Sequence, residues 1–299
     1  MLDQAEGLRR LVARHATRII AVVGSTPEAG QTSVALNLAS ALAHHGQDVV
    51  LADESGHAAP ALGLPLRGDI HDVLAGRIAA DSVRVHTREN VVLVPVAHRH
   101  PERIDPMRAL PVLTAGEPDV VVIDCTHAGA LLSPLAAHAN DVLVVLGREP
   151  ASITGAYSWI KRAHYEYALA QFRVLVNRAE DVEARVVCRN LATTASRYLA
   201  VSLELAGHVP ADRQVMRARQ LTRTVVDAFP MAPAAVAYRQ LAAQVMHWPL
   251  AVPEAGGPAL GAALGVGMGA AMGAAMGDIG GDRGGELAHG VGATSAHTA

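Results

Sequence analysis

Lysine is all but missing from this 299-residue chain: Lys161 is the only one, so nearly all positive charge is arginine. Aromatic residues make up 3%, which leaves a core to be built from Val, Leu, Ile and Ala. Two cysteines, Cys125 and Cys188, both in apolar surroundings, are too few for a disulfide framework or a zinc site and suit a reducing compartment. The histidines show no metal-ligand spacing. His98 and His100 alternate around Arg99 in a polar stretch, and His44 and His45 close a helical pattern where imidazolium suits the dipole. With a formal net charge of −3, no dominant nucleic-acid surface is expected. The first residues, charged from Asp3 onward, hold no apolar run of the kind a secretory signal needs.

What the chain does contain is alternation. Short Val/Ile runs and helical stretches take turns from residue 18 to about residue 248, which reads as repeated βαβ units. Strands are expected near 18–23, 48–53, 91–96, 119–124, 141–147, 171–177 and 204–209. Helices are expected over 31–46, 70–76, 104–116, 151–169, 181–199, 211–220 and 232–247. The runs VVVID and VLVVL are continuously apolar, as in strands covered on both faces. The expectation is an α/β domain over 17–250, with a mostly parallel twisted sheet of seven or eight strands and helices on both faces.

Two segments stand outside that domain. Residues 1–16 read as an amphipathic helix. Asp3 and Glu6 form a capping-box pattern, Ala5, Leu8, Leu11 and Val12 share a face, and Arg9, Arg10 and Arg14 lie mainly off it. Residues 251–299 are Gly/Ala/Met-rich low complexity and are expected to be disordered. Residues 255–277 carry no charge and exceed the length of a membrane span, but Gly and Ala supply little transfer energy and no Lys/Arg cluster flanks them. Membrane contact by this tail stays open.

The most informative stretch is IIAVVGSTPEAGQTSVALNLA at 19–39: an apolar strand, a short turn, then an Ala/Leu-rich helix. Gly30, Thr32 and Ser33 stand where a phosphate-binding loop of the form GxxxxGK[ST] keeps its last glycine and its hydroxyls. The lysine of that pattern is Gln31, and its first glycine is Ser25. Pro27 removes a backbone N–H from a segment whose task is to aim N–H groups at phosphate. Glu28 adds a carboxylate; two like charges 4 Å apart at an effective dielectric near 20 repel by about 4 kcal/mol. The helix N-terminus behind the loop offsets only about 0.3–1 kcal/mol of this. Weak or absent ATP binding is expected, with hydrolysis weaker still.

Beyond the loop, residues 2–248 resemble the MinD/ParA-like deviant P-loop ATPases, and within them the FlhG/FleN group of flagellar-number regulators. DQAEGLRRL at 3–11 is similar to the activator motif DQAxxLR of that group. REPASITGAYSWIK at 148–161, VLVNR at 174–178 and the stretch 207–242 follow in the family's order and spacing.

The resemblance implies ATP and Mg²⁺ as ligands, with Thr32 on the metal, Ser33 near the α-phosphate and Asp124 holding the metal's water shell. It assigns Asp53 to the switch region that positions attacking water, Asn177 to adenine, and Pro210 and Asp212 to the walls of the base pocket. Against the family pattern, Thr26 replaces the signature lysine, Pro27 and Glu28 replace two loop glycines, and Gly155 replaces an aspartate. The switch pattern is compressed to Asp53-Glu54-Ser55-Gly56.

For the N-terminal helix, the resemblance implies action on the SRP-type GTPase FlhF through Asp3, Gln4, Ala5, Leu8 and Arg9. It further implies flagellar basal-body components as partners, a homodimer, and a place in the cytoplasm or peripherally at the inner membrane or cell pole. Three functional readings stay open. One is a flagellar regulator that acts by protein binding with impaired ATP hydrolysis. Another is a working ATPase that dimerises on ATP. The third is a ParA-like partner of a different cargo.

Overall fold

The strand RIIAVVG, Arg18–Gly24 (β1), sits at the middle of the sheet, hydrogen-bonded to a parallel strand on each side. This arrangement belongs to a computed structural model that describes residues 17–96, 104–126 and 131–249. The expectations for residues 1–16 and 251–299, and for His98 and His100, fall outside the described residues.

After β1 come helix α1 (Gln31–His44), strand β2 (Val49–Asp53) and two short helices, α2 (Ala58–Ala61) and α3 (Ile70–Leu74). Strands β3 (Val85–His86) and β4 (Val91–Pro95), helix α4 (Pro106–Leu113) and strand β5 (Val120–Asp124) follow. The second half runs β6 (Asp141–Leu146), α5 (Pro150–Tyr167), β7 (Gln171–Asn177), α6 (Asp181–Tyr198) and β8 (Ser202–Val209). It ends with α7 (Arg213–Gln220), α8 (Val225–Ala228) and α9 (Pro233–Val245).

The eight strands lie in the order β3-β4-β2-β5-β1-β6-β7-β8. All pairs are parallel except β3–β4, so the expected mostly parallel sheet is what forms. From β1 the chain moves toward β2 and β4, returns to β5, then crosses to β6. That reversal leaves a crevice outside the carboxyl ends of β5, β1 and β6, the usual place for a ligand in an open α/β sheet.

Both sheet faces are covered, and the period of two sorts each strand between them. Val121 and Ile123 of β5 join the core beneath α5 and α6, where Trp159 meets Phe172 edge-on at 6.2 Å. Val120 and Val122 join the opposite core with α1 and α9, which holds Leu38, Leu42, Tyr238 and Leu241. Fully burying each such aliphatic side chain is worth about 1.5–3 kcal/mol. Asn37 ties α1 to α8: its Oδ1 accepts from the Val225 N–H at 2.8 Å.

At the end of the sheet away from the crevice, charge crosses four strands. Arg18 of β1 donates to Asp141 of β6 at 2.6 Å, Arg173 of β7 donates to the same carboxylate at 3.0 Å, and Arg173 also pairs with Glu204 of β8. Trp248 stacks on Arg173 at 4.1 Å, and its carbonyl accepts from Arg18 at 2.5 Å. Among the described residues, no helix is long and apolar enough to cross a membrane.

Candidate functional site: the strand-end loop

The loop between β1 and α1 is a turn of 3₁₀ helix, Pro27–Ala29, closed by Gly30 at φ 87°. That left-handed conformation and the neighbouring Asn177 both require glycine: a Cβ at Gly30 would stand 2.5 Å from Asn177 Nδ2. Asn177, at the end of β7, donates from Nδ2 to the Ala29 carbonyl at 2.8 Å and so pins the loop from the side. Ser25 is held in the same way, its hydroxyl 2.8 Å from that of Ser152, which also accepts from the Gly147 N–H at 2.8 Å. Gly155 completes the fit, because a Cβ there would meet the Ser25 carbonyl at 2.6 Å and Thr26 Cγ2 at 3.3 Å. The aspartate expected by family resemblance at Gly155 has no room beside this loop.

Gln31 is buried beneath the loop. Its Oε1 accepts from the Gly24 N–H at 2.7 Å, while its Nε2 donates to Asp124 Oδ1 at 2.8 Å and to the Cys125 carbonyl at 2.6 Å. An N–H on one side and two oxygens on the other fix which way round the amide lies. Both donors and the carbonyl of the carboxamide are engaged.

Asp124 accepts from Ser55 Oγ at 2.6 Å through its second oxygen. Burial raises its pKa to about 6, partly offset by the hydrogen bonds from Ser55, Gln31 and Thr32, while the nearby charge of Asp53 raises it further. Thr32 Oγ1 lies 3.5 Å from Ser55 Oγ. Ser33 neighbours the buried hydroxyl of Tyr238 on α9, where burial raises the phenol's pKa and Ser33 partly offsets the rise. Cys125 has a fully buried thiol whose pKa burial pushes well up, so it behaves as the small apolar residue expected of it.

Asp53 is given over to structure. Its Oδ1 accepts from the Gly56 N–H at 2.8 Å and lies 3.0 Å from Ser55 Oγ, whose one proton goes to Asp124; its Oδ2 accepts from the Ala58 and Ala59 N–H groups at 3.0 and 3.1 Å. Three backbone donors on one carboxylate fold the compressed switch segment around it and cap α2. Glu54 joins the site although the motif assigns it no role. As the next residue after a strand, it points to the opposite face, and there Ser133 Oγ donates to its Oε1. Oε2 is buried with no hydrogen-bond partner among the described residues. Burial raises the Glu54 pKa to about 7, with hydrogen bonds from Ser133 and Thr126 lowering it and Asp124 and Asp53 adding to the rise.

Gly30, Gln31, Thr32, Asp53 and Asp124 therefore meet at the ends of β1, β2 and β5, with Asn177 alongside. Pro210 and Asp212 lie just past the end of β8. Asp212 caps two helices at once, accepting from the Gln214 N–H at 2.8 Å and the Ala234 N–H at 3.1 Å. A cleft of about 550 Å³ adjoins it, lined by Asp212, Gln214 and residues 228–233, and no loop residue takes part. Asp3, Gln4, Ala5, Leu8 and Arg9 lie outside the described residues.

The chemistry of this donor set does not suit a magnesium triphosphate. The position that should meet phosphate with an ammonium holds a neutral amide already bonded on all sides. Three carboxylates, Asp53, Glu54 and Asp124, crowd the strand ends, and Glu28 stands on the loop.

The order of strands and helices is that of the MinD/ParA-like fold. A chain of the MinC:MinD cell division protein complex of Aquifex aeolicus superposes with a TM-score of 0.63 at 22% identity, over 79% of this chain and 98% of that one. The septum site-determining protein MinD of Pyrococcus horikoshii, solved with Mg-ADP, gives 0.59 at 24%, over 77% and 96%. These likenesses establish the fold. No family model matches the chain. In sequence it is 34% identical to the antiactivator FleN of Pseudomonas aeruginosa over 257 residues, 81% of this chain and 91% of that protein. An uncharacterized ATP-binding protein of Methanocaldococcus jannaschii is 28% identical over 76% and 87%. The chain belongs to the FleN family.

Proposed function

We propose that this FleN-family protein regulates flagellar number and assembly by binding other proteins, with ATP hydrolysis impaired or absent. The observation that carries the reading is Gln31. Its carboxamide links β1 to β5 through three buried hydrogen bonds, so the loop is held by the protein's own groups where a nucleotide would hold it in a working P-loop. Asp53 and Asn177 are likewise engaged in shaping the loop and the switch. On this reading the folded surface is presented continuously, without a cycle of nucleotide loading and loss.

The partners proposed are the SRP-type GTPase FlhF, acted on by the helix of residues 1–16, and basal-body components of the flagellum. Residues 17–250 serve as the scaffold. The protein works in the cytoplasm or peripherally at the inner membrane or pole, and nucleic acid is not among its ligands. Should ATP and Mg²⁺ bind at all, Gly30, Thr32, Ser33 and Asp124 would line the phosphate side, and Asn177, Pro210 and Asp212 the base.

Isothermal titration of the full chain with ATP and Mg²⁺, paired with a GTPase assay of FlhF plus a peptide of residues 1–16, tests both halves. The expected result is no saturable ATP heat in the micromolar range and a peptide that accelerates GTP hydrolysis. Micromolar ATP binding with steady turnover, abolished by Asp124→Ala, would establish the ATPase reading in its place.

A further inference from the structure

The charge row at the far end of the sheet also marks where the chain enters and leaves the domain. Arg18 follows the first described residue, Trp248 precedes the last, and the guanidinium of one is bonded to the carbonyl of the other. Residues 1–16 and the residues beyond 249 therefore depart from neighbouring points. Beside them lies a groove of about 460 Å³, lined by Glu204, Ala243, Gln244, His247 and Trp248. Glu204, although paired with Arg173, keeps its side chain 67% exposed at the groove's edge.

We propose that residues 5–16 of this chain lie in that groove as an amphipathic helix, so that the N-terminal segment is stored on its own domain until a partner displaces it. Three observations select this occupant. The segment is tethered at Thr17, whose hydroxyl is bonded to the Pro118 carbonyl at 2.7 Å and whose neighbour Arg18 begins β1. The distance also fits. From β1 across β6 and β7 to β8 is three strand spacings, about 14 Å, and ten helical residues extend about 15 Å.

The third observation is charge and polarity. Arg10 and Arg14, one helical turn apart, can meet the exposed carboxylate of Glu204 from one face, which leaves Leu8, Leu11 and Val12 on the opposite face, open to a partner. The C-terminal segment starts equally close, but its first charge is Glu254, which Glu204 repels, and residues 255–277 carry none. An accessible charge row with a single exposed carboxylate selects a basic segment over a neutral one.

Hydrogen exchange on the full chain tests the docking directly. Amides of residues 5–16 are expected to exchange at least tenfold more slowly than in a free peptide of residues 1–16. Glu204→Arg, and separately Gln244→Arg, should erase most of that protection while leaving Arg213–Gln220 unchanged as a control for folding. A charge-reversed partner, Arg10→Glu with Arg14→Glu, should restore protection in the Glu204→Arg background. No protection in the parent chain, or protection indifferent to both groove substitutions, overturns the proposal. So does loss of groove protection on deleting 251–299 but not on deleting 1–16, since that makes the tail the occupant.

The regulatory consequence rests on the function proposed above, and the two fail differently. If the stored segment is the FlhF activator, the Glu204→Arg chain stimulates GTP hydrolysis several-fold more than the parent at equal concentration. Docking without any stimulation by the free peptide removes the FlhF reading and leaves the docking. Equal stimulation by both chains, with no exchange protection, removes the docking and leaves the FlhF reading.

Discussion

Gln31 shows how one residue can change what a site does without unmaking it. A lysine here would be a mobile cation awaiting phosphate; the glutamine instead joins the Gly24 N–H, the Asp124 carboxylate and the Cys125 carbonyl. Gln31→Lys is the revealing substitution. Its ammonium can reach Asp124 and the Cys125 carbonyl but leaves the Gly24 N–H unpaired, so a stability loss of about 1–3 kcal/mol is expected by chemical denaturation. The same cation favours ionised Asp124, drawing its pKa below about 6. ATP affinity by titration calorimetry should rise at least tenfold over the parent; an unchanged affinity means that Pro27, Glu28 and the carboxylates alone suffice to exclude phosphate. Gly155 makes a second residue-scale case. Gly155→Ala forces a methyl against the Ser25 carbonyl, a backbone atom that cannot step aside, and should cost about 1–3 kcal/mol in thermal unfolding.

At the scale of elements, the long strands and helices were legible because their signals are long. VVVI, up to Asp124, and VLVVL are unbroken apolar runs and lie at the centre of the sheet. The stretches 151–169 and 181–199 differ from α5 and α6 by two residues at most, and the start at Asp181 coincides. What escaped the sequence was short. Val85–His86 pairs antiparallel with β4 over two residues, and α2 and α8 have four residues each, too few for any period to show.

The site divides along the same line. Positions such as Gly30, Gln31 and Thr32 could be placed from spacing, since a strand, a turn and a helix fix them, and Asp124 from the family resemblance. Their partners could not: nothing in Asp53-Glu54-Ser55-Gly56 announces that Asp53 collects three backbone donors while Glu54 turns to the other face. The family resemblance puts Asp212 in the wall of a base pocket, and in the fold its carboxylate joins the N-termini of α7 and α9, which no spacing announces. Asp212→Ala removes both caps and should cost about 1–3 kcal/mol, twice an ordinary cap at most. Asp212→Asn, which keeps one acceptor oxygen, should recover roughly half in urea denaturation midpoints. A loss confined to nucleotide affinity, with no change in midpoint, would return the residue to the base pocket.

Over the whole molecule, the buried carboxyls make stability depend on pH in an uncommon direction. Glu54 and Asp124 carry pKa values raised from ordinary carboxylate values of 4.5 and 3.8 to about 7 and about 6. Between about pH 4 and pH 7 the folded chain therefore holds protons that the unfolded chain has released. Stability falls as pH rises through that window and levels off above it. Each unit of displacement corresponds to about 1.4 kcal/mol, so Glu54 alone is responsible for a decline on the order of 3 kcal/mol. Glu54→Gln tests this cleanly, because the amide keeps the size of the side chain and an acceptor for Ser133 but cannot ionise. Calorimetric midpoints of the parent should drop between pH 5.5 and pH 8, while those of the variant should drop much less, leaving the variant the more stable protein at pH 8. Asp124→Asn should act in the same sense with a smaller span, its window closing near pH 6. Parallel midpoint curves for parent and Glu54→Gln would mean that Glu54 is ionised throughout, with water or residues 127–130 supplying the partner that its Oε2 lacks among the described residues.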